Sequence, residues 1–411
     1  MTRTSLEDML MPEGQPAPSD GSLPEQAWSE LSLRPLGIYI HVPFCMTRCG
    51  YCDFNTYTAA ELGTEPGASR AGYVDAAIKE LELAARVLAP DAPAVSTIFV
   101  GGGTPTVLPP DDLGRLITAV RDRFGLAKDA EVTTESNPES VDAAGLHRLR
   151  EVGFNRISFG MQSAVPHVLA TLDRTHTPGR PLQAVGEAKA AGFANISLDL
   201  IYGTPGESAT DWRESLDAAL SASPDHISAY ALIVEEGTRL AARIRRGELP
   251  PTDEDDLADK YLIADERLVA AGQTAYEVSN WSTSAATRCR HNLGYWRSHH
   301  WWGIGPGAHS HVGGVRWWNV KHPQAYASRL ASGQSPAQAR ELLSAEQRRV
   351  ERILLELRLA DGLSTSLLTT TEKSRLVDLR ARRLAVVEDG MLILTRDGRL
   401  LADGVIRELL D

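Results

Sequence analysis

Short apolar runs alternate with amphipathic stretches through the first half of the chain. Runs rich in Ile, Val, Phe, Ser and Thr predict buried β-strands at 38–42, 96–100, 131–135, 156–160, 196–201 and 226–232. Apolar residues recur at helical spacing over 73–88, 111–124, 141–152, 181–191 and 209–221. Strands that alternate with helices form right-handed βαβ units around a parallel sheet. The pattern therefore predicts an α/β fold, a partial (β/α)6 barrel with its active site at the carboxyl ends of the strands.

The pattern changes in the second half of the chain. A helix is predicted at 252–271 and a short strand at 274–279. Helices at 344–358 and 371–382 precede two apolar runs joined by Asp389-Gly390, a strong hairpin signal, and a last helix is predicted at 402–410. We interpret these elements as a small winged-helix-like α+β module that covers the barrel or binds protein.

The predicted organisation has four parts. They are a disordered N-terminal tail at 1–33, a barrel core at 34–235, a barrel extension at 236–335 and the C-terminal module at 336–411. The tail is rich in Pro, Ser and Glu, a composition typical of disorder. We expect it to dock in part through Trp28 and Leu31.

The composition limits the classes of partner. The chain of 411 residues is 43% hydrophobic and has a formal net charge of −12, which argues against a nucleic-acid partner held mainly by phosphate contacts. Its four cysteines, three of them in one short motif, cannot form a disulfide framework. Reduced thiols predict a cytoplasmic protein. No apolar run reaches the ~18 residues of a membrane span.

Cys45, Cys49 and Cys52 directly follow the first predicted strand. Thiolates this close favour a soft metal centre such as an iron–sulfur cluster, zinc or Cu(I). Zinc would require a fourth ligand, for which His41 and Cys289 are the candidates. Chance clustering of buried thiols is the remaining interpretation. Polar neighbours favour a cluster-binding loop, namely Thr47, Arg48, Asp53 and Asn55.

The other predicted strands also end in unusual residues. Glycines at 101–103 allow a backbone to approach a ligand closely. Glu135 and Asp199 lie in apolar strands, where a carboxylate is costly unless it is paired. A structural ion pair with Arg156 or Arg174 would explain them. The functional interpretation is that they face a polar, cationic ligand, whose carboxylate Arg174 pairs.

The cysteine spacing resembles the radical S-adenosylmethionine (SAM) superfamily, in which three cysteines hold a [4Fe–4S] cluster and SAM ligates the fourth iron. Further strings resemble one branch of it, the oxygen-independent coproporphyrinogen III dehydrogenases and their paralogues, the heme chaperones of HemW type. The strings are Tyr-x-His-x-Pro-Phe-Cys at 39–45, GGGTPT at 101–106, ESNP at 135–138, SFGMQS at 158–163, RTH at 174–176 and DLIYGTPG at 199–206. The resemblance covers about 36–411.

This resemblance implies cluster ligation by the three cysteines and a set of SAM contacts. The matching SAM positions are Tyr39, Tyr51, Gly102, Gly103, Thr104, Glu135, Gln162, Arg174, Asp199 and Ala231.

Three features favour the chaperone branch. Phe54 replaces a cysteine of the dehydrogenase pattern, and the N-terminal tail is short. His291-Asn292-Leu293-Gly294-Tyr295 matches the H-N-x-x-Y heme-binding motif of the chaperones, which marks His291, Asn292 and Tyr295. A structural His291 is the alternative, with Cys289 and His309 as other candidate ligands. Flat apolar surface for a porphyrin is expected from Trp296, Trp301 and Trp302.

We therefore predict a heme chaperone that binds [4Fe–4S], SAM and heme and passes heme to a client apoprotein. A transient client at a membrane surface is compatible with this prediction, whereas a nucleic-acid partner is not expected. No catalytic residue is assigned, and enzymatic activity is left open. The alternative function is oxidative decarboxylation of coproporphyrinogen III by a dehydrogenase, and a remote one is a structural zinc-binding interaction protein.

Overall fold

The structure, a computed structural model, describes residues 14–62, 69–88 and 92–411. Its strands are β1 (Gln15–Pro16), β2 (Leu36–Val42), β3 (Val95–Gly102), β4 (Leu126–Ser136), β5 (Arg156–Gln162), β6 (Asn195–Tyr202), β7 (His226–Ala231), β8 (Thr274–Ala275), β9 (Asn280–Ser282), β10 (His300–Ile304), β11 (His309–Val312), β12 (Val315–Asn319), β13 (Ala337–Leu342), β14 (Leu363–Ser364), β15 (Ala385–Glu388) and β16 (Met391–Leu394).

Its α-helices are α1 (Ala59–Leu62), α2 (Arg70–Leu88), α3 (Pro110–Phe124), α4 (Ala143–Glu151), α5 (Pro166–Thr171), α6 (Arg180–Ala190), α7 (Ala209–Ser221), α8 (Arg239–Arg245), α9 (Glu254–Ala270), α10 (Arg290–Trp296), α11 (Pro323–Ala331), α12 (Ala345–Glu356), α13 (Thr370–Ala381), α14 (Arg396–Leu400) and α15 (Ala402–Leu410). Among the described residues, none of these helices combines the length and the apolar character needed to cross a membrane.

The predicted alternation of strands and helices is confirmed. The first-half strands are present as β2 to β7, and the helices between them as α2, α3, α4, α6 and α7. The strand predicted at 274–279 is shorter, because β8 ends at Ala275 and the amide of Tyr276 closes a turn onto the carbonyl of Asn280 at 3.0 Å.

The described residues form two compact units, which do not follow the predicted boundaries at 33, 235 and 335. The first contains the described parts of Met1–Met46, Asn55–Val132 and His299–Glu346. Its strand order is β1-β13-β12-β11-β10-β2-β3, in which β2 pairs in parallel with β3 and β10. Both faces of β2 are largely buried, which explains its continuous apolar run.

The second unit contains Thr47–Phe54, Thr133–Ser298 and Gln347–Asp411. The part of β4 from residue 133 onward pairs in parallel with β5, followed by β6 and β7. Antiparallel β9 and β8 continue this sheet. The carboxyl ends of β4 to β7 therefore lie at one edge of the unit, where functional residues of such sheets gather.

The predicted disordered tail is wrong for residues 14–33, whereas residues 1–13 lie outside the described part of the chain. In the first unit, β1 pairs with β13, and Leu31 and Ala27 are buried. Gly313 has a φ of +56°, and a Cβ there would lie 2.5 Å from the Ala27 carbonyl oxygen, so the segment is closely packed. Apolar burial and backbone pairing offset the entropy lost on ordering.

The C-terminal elements form the expected α+β arrangement inside the second unit. β15 and β16 pair as a hairpin, and β14 adds to β16. Asp389 and Gly390 both have positive φ, +48° and +79°, as a two-residue turn of this kind requires. Helices α12, α13 and α15 bury apolar residues against this small sheet.

Candidate functional site

The cysteine loop, residues 45–52, begins in the first unit at Cys45. The Cys45 thiol is buried and is not part of a disulfide, and the Cys45 amide donates to the carbonyl of Tyr57 at 3.0 Å. The hydroxyl of Thr104 lies 4.0 Å from the Cys45 sulfur. A hydroxyl that faces a thiolate stabilises its charge. Thr104, a predicted SAM contact, is thus a neighbour of a predicted cluster ligand.

The glycines at the end of β3 allow another stretch of backbone to come close, as predicted. In the structure, the stretch that comes close to Gly103 is the start of the cysteine loop. The amide of Gly103 donates to the carbonyl of Val42 at 2.8 Å. A Cβ at Gly103 would lie 2.5 Å from the carbonyl oxygen of Phe44 and 3.0 Å from the Cys45 sulfur. Gly102 has a φ of +108°, which also favours glycine.

His41 is engaged through both ring nitrogens. Its Nδ1 lies 2.9 Å from the hydroxyl of Tyr39, and its Nε2 lies 2.9 Å from the carbonyl oxygen of Asn55. Burial lowers the pKa of His41, which keeps the ring neutral. His41 therefore serves as a link between β2 and the segment after the cysteine loop, rather than offering a free nitrogen to zinc.

Cys49 and Cys52 belong to the second unit, are partly exposed and are not part of a disulfide. Nη1 of Arg174 donates to the Cys49 sulfur at 3.6 Å, and Nη2 donates to the carbonyl of Gly160 at 2.7 Å. Burial and the neighbouring Cys49 raise the pKa of Tyr51, so that hydroxyl stays protonated.

Arg174 was predicted to pair with a ligand carboxylate, and in the structure it also contacts Cys49. Its Nε is buried and has no hydrogen-bond partner among the described residues. One donor of the guanidinium thus remains to be satisfied, as expected for a group that meets a ligand.

Gln162 lies at a bulge at the end of β5. Its φ is +65°, unusual for a residue with a side chain, and the pairing with β6 shifts between Gly160 and Gln162. A Cβ at Gly160 would lie 2.8 Å from Nε2 of Gln162 and 2.9 Å from Nη2 of Arg174. The bulge therefore places two predicted SAM contacts beside each other.

Asp199 is surrounded by serines. Ser158 donates to Oδ2 of Asp199 at 2.8 Å, and Ser228 lies opposite it in the register of β6 and β7. Burial raises the pKa of Asp199, and hydrogen bonds from Ser228 and Ser158 oppose this rise. Arg156 acts on Asp199 through its charge, while its Nη1 donates to the carbonyl of Thr287 at 3.2 Å. The anticipated ion pair is therefore replaced mainly by hydroxyl donors.

The serine donors were missed from the sequence. The sequence did contain a signal for them, because Ser158, Ser197 and Ser228 are polar residues inside otherwise apolar strand runs. The predicted SAM contacts Glu135, Gln162 and Ala231 lie at the carboxyl ends of their strands, whereas Asp199 lies in the middle of β6. Glu135 pairs with Ser158 and Ala231 with Tyr202.

The predicted heme segment forms helix α10 in the second unit. His291 is buried, and its Nε2 lies 2.8 Å from the hydroxyl of Tyr295. Burial lowers the pKa of His291 to about 3, so the imidazole is neutral and keeps the lone pair that a metal needs. Cys289 is also buried, and its amide donates to the hydroxyl of Tyr276 at 3.3 Å. Both candidate ligands are enclosed in this conformation.

The prediction that Trp302 offers a flat surface to a porphyrin is wrong. In the first unit, Trp302 is buried and packs edge-on against Trp317 with ring centroids 4.7 Å apart. Trp301 is partly exposed, and its Nε1 donates to the carbonyl of His309 at 3.1 Å. The exposed ring of His309 stacks on Trp318 with 5.9 Å between centroids. Trp296 packs in the second unit near Tyr276 and Leu293.

No group of three or more His, Cys, Asp or Glu side chains in the described residues is arranged to hold a single metal ion. In a [4Fe–4S] cluster each cysteine binds a different iron. The ligand sulfurs of a cluster are therefore spread farther apart than the ligands of one ion.

Comparison with known proteins places these features in context. Residues 39–219 match the family described as the Radical SAM superfamily. The heme chaperone HemW of Mycobacterium tuberculosis is 53% identical over 377 residues, 92% of this chain and 95% of that protein. The heme chaperone HemW of Bacillus subtilis is 32% identical over 89% of this chain and 97% of that protein.

Among solved structures, the chain resembles coproporphyrinogen III oxidase (HemN) from Escherichia coli, described as a radical SAM enzyme. The TM-score is 0.80 over 98% of both chains, at 22% sequence identity. This likeness confirms the predicted fold class.

Proposed function

Because this chain belongs to the HemW family of heme chaperones, within the radical SAM superfamily, we propose that it binds heme and passes it to a client apoprotein. The observation that carries the proposal is the 53% identity to the heme chaperone HemW of M. tuberculosis across 92% of the chain. The likeness to the oxidase extends to the fold alone, at 22% identity. The exposed Phe54, at the position of a dehydrogenase cysteine, also favours the chaperone.

Cys45, Cys49 and Cys52 are the proposed ligands of a [4Fe–4S] cluster, which the superfamily implies together with SAM. The residues present fit this group. None of the three thiols is part of a disulfide, Thr104 faces Cys45 and the Arg174 guanidinium faces Cys49. When bound through three cysteines, such a cluster offers its remaining iron to SAM.

The ten predicted SAM contacts remain the proposed SAM-binding residues. In the second unit, Asp199 and Glu135 would accept hydrogen bonds from ligand hydroxyl or ammonium groups. The orphaned Nε of Arg174 would donate to a ligand carboxylate. In the first unit, the loop around Gly103 and Thr104 would present backbone groups, and Tyr39 is already oriented by His41.

His291, Asn292 and Tyr295 are the proposed heme segment. His291 is neutral and can ligate iron once the Tyr295 hydroxyl releases its Nε2. Heme binding would therefore involve a local opening of α10. The proposed partner is a cytoplasmic apoprotein or one met transiently at a membrane surface.

The test is a heme titration followed by transfer. Anaerobically reconstituted protein should bind about one heme per chain and release it to a heme-free acceptor such as apomyoglobin, as followed by the Soret band. His291→Ala should lower heme affinity or shift the Soret band, because imidazole is a strong axial ligand. His147→Ala, which removes an exposed histidine of α4, is the matched control.

The same preparation is given coproporphyrinogen III and SAM. We expect no protoporphyrinogen. SAM-dependent decarboxylation without heme transfer would overturn the chaperone function in favour of the dehydrogenase.

A further inference from the structure

The connection between α12 and β14 is fastened to the heme segment within the second unit. Leu359 packs in one apolar cluster with Tyr276, which lies next to α10. The amide of Ala360 donates to the carbonyl of Tyr276 at 3.0 Å. Asp361 follows directly, and its carboxylate faces α10 itself. We call residues 359–361 the clasp.

Asp361 joins arginines from both ends of α10. Nη2 of Arg297 donates to Oδ2 of Asp361 at 2.5 Å, and Nη1 of Arg288 lies 3.6 Å from Oδ1. Arg297 is the C-cap residue of α10, and Arg288 directly precedes its N-cap residue. One carboxylate therefore ties both ends of the helix to the clasp. In this closed state, Nε2 of His291 is bonded to the hydroxyl of Tyr295.

The ion pairs of the clasp are exposed to water. The Asp361 side chain is 51% exposed, and the side chains of Arg297 and Arg288 are 40% and 22% exposed. Ion pairs this exposed contribute little to stability, because water screens the charges and the long side chains lose entropy. The carboxylate of Asp361 can therefore be exchanged for another carboxylate at small cost.

Two further donors beside α10 are buried and have no hydrogen-bond partner among the described residues, namely Nε of Arg288 and Nε1 of Trp296. Cζ of Arg288 lies 5.6 Å from the ring centroid of Tyr276, and Trp296 packs against the apolar cluster that contains the same ring. The two donors thus flank one aromatic side chain. Buried donors in folded proteins nearly always have a partner, so this pair indicates a ligand with acceptor atoms.

The sequence of the segment indicates the charge of that ligand. Residues 288–297 contain three arginines and no acidic residue, whereas the whole chain has a formal net charge of −12. Arginine presents its N–H donors in a fixed fork that matches the two oxygens of a carboxylate. Heme has two ionised carboxylates on a flat apolar ring, and it therefore complements a segment that combines arginines with aromatic side chains.

We propose that Arg288 and Arg297 bind the carboxylates of heme, and that Asp361 occupies these arginines while α10 is closed. Heme that reaches His291 exchanges its own carboxylates for that of Asp361, which releases the clasp. The inference rests on the proposed function, since it names how the same heme segment recognises its ligand. The two arginines thus select a porphyrin whose side chains are ionised.

The experiment compares heme with its dimethyl ester, which keeps the iron and the ring but has no ionised carboxylate. Each is titrated into the anaerobically reconstituted full chain and followed by the Soret band. The unaltered protein should bind heme about tenfold or more tightly than the ester, the factor for one hydrogen bond to a charged group. In Arg288→Gln and in Arg297→Gln this ratio should fall toward one. Arg267→Gln, which removes an arginine paired with Asp217 in the same unit, should keep it.

A variant of the clasp is expected to gain affinity. Asp361→Asn removes the competing carboxylate, so heme affinity should rise by about two- to fivefold, the range for a partly exposed ion pair. A loss of folded structure cannot produce such a gain. Asp217→Asn, which removes an exposed carboxylate paired with Arg267, should leave heme affinity unchanged. An equal or lower heme affinity in Asp361→Asn would contradict the clasp.

The inference and the proposed function fail in different ways. If the unaltered protein bound no heme, the proposed function would be overturned, and the inference with it. If heme bound and was transferred but the ester bound equally well, the inference alone would be overturned. The same holds if Arg288→Gln and Arg297→Gln both kept the full ratio of heme affinity to ester affinity.

Discussion

At the residue scale, the three loop cysteines differ from Cys289 in their neighbours. Cys45 lies beside the hydroxyl of Thr104 and Cys49 beside the guanidinium of Arg174, whereas Cys289 is 5% exposed and occupies the N-cap position of α10. We expect about four irons per reconstituted chain. Cys45→Ala, Cys49→Ala and Cys52→Ala should each abolish the visible cluster absorbance and most of the bound iron. Cys289→Ala should retain both, and zinc in place of iron after anaerobic reconstitution would refute the assignment.

The carboxylates of β4 and β6 permit a second test at this scale. Asp199→Ala and Glu135→Ala remove acceptors for a cationic, hydroxyl-rich ligand, and a hydrogen bond to a charged group contributes about 1.5–3 kcal/mol. SAM affinity measured by calorimetry should therefore fall by about tenfold or more, with the iron content unchanged. Asp217→Ala, which removes an exposed carboxylate paired with Arg267, is the control. Equal SAM affinity in all variants would make these carboxylates structural.

The sequence predicted which strands carry the proposed site residues, but not how each residue is engaged. Asp199 and Gln162 lie on the neighbouring parallel strands β6 and β5, as the alternating strand and helix pattern predicted. The contact of Arg174 with Cys49 was not foreseen, because it joins segments that are distant in the sequence and leaves no periodic signal in the chain. The hydrogen bond of the buried His291 to Tyr295 corresponds to the structural alternative for this residue.

At the element scale, Glu80 joins α2 to the β10–β12 region and α11 within the first unit. Its carboxyl accepts hydrogen bonds from the Tyr326 hydroxyl at 2.5 Å, the Gly305 amide at 2.8 Å and the Asn319 amide at 2.7 Å. Burial nevertheless raises the pKa of Glu80 from 4.5 to about 7.

This raised pKa makes stability depend on pH. Between pH 4.5 and about 7, Glu80 is protonated in the folded chain and ionised in the unfolded chain. The contribution of Glu80 to the free energy of unfolding is therefore greatest at low pH and is lost as the pH rises toward 7. The loss is about 3 kcal/mol. The free energy of unfolding of the unaltered protein should therefore decline relative to that of Glu80→Gln between about pH 4.5 and 7, as measured in urea. A difference between the two proteins that did not vary with pH would contradict this.

The burial and pairing of each strand explain which elements could be predicted from the sequence. Buried runs such as β2 and β6 carry their own signal, because most of their positions are apolar or small. Strand β10 and the segment around β1 do not, since their stability comes from pairing with β2 and β13, which are far away in the sequence. Local patterns therefore identified the central strands and missed the outer ones.

At the scale of the whole molecule, the charge balance bears on the winged-helix-like module. Two arginines of this module are paired with acids: Arg382 with Asp378 and Glu408, and Arg396 with Glu266. Paired cations release few counterions from a nucleic acid, and the net charge of −12 repels phosphate. We expect no binding of duplex DNA at about 0.15 M salt, as measured by fluorescence anisotropy. Salt-dependent binding in the micromolar range would refute this expectation.

Gly160 has a consequence for how this chain can vary. A methyl group there would meet the Gln162 amide and the Arg174 guanidinium at the same time, although these come from different segments. Both atoms are the far ends of flexible side chains, so a methyl group at position 160 would displace two proposed SAM contacts at once. In a mutational library, substitutions at positions 160, 162 and 174 should therefore affect SAM binding in the same direction.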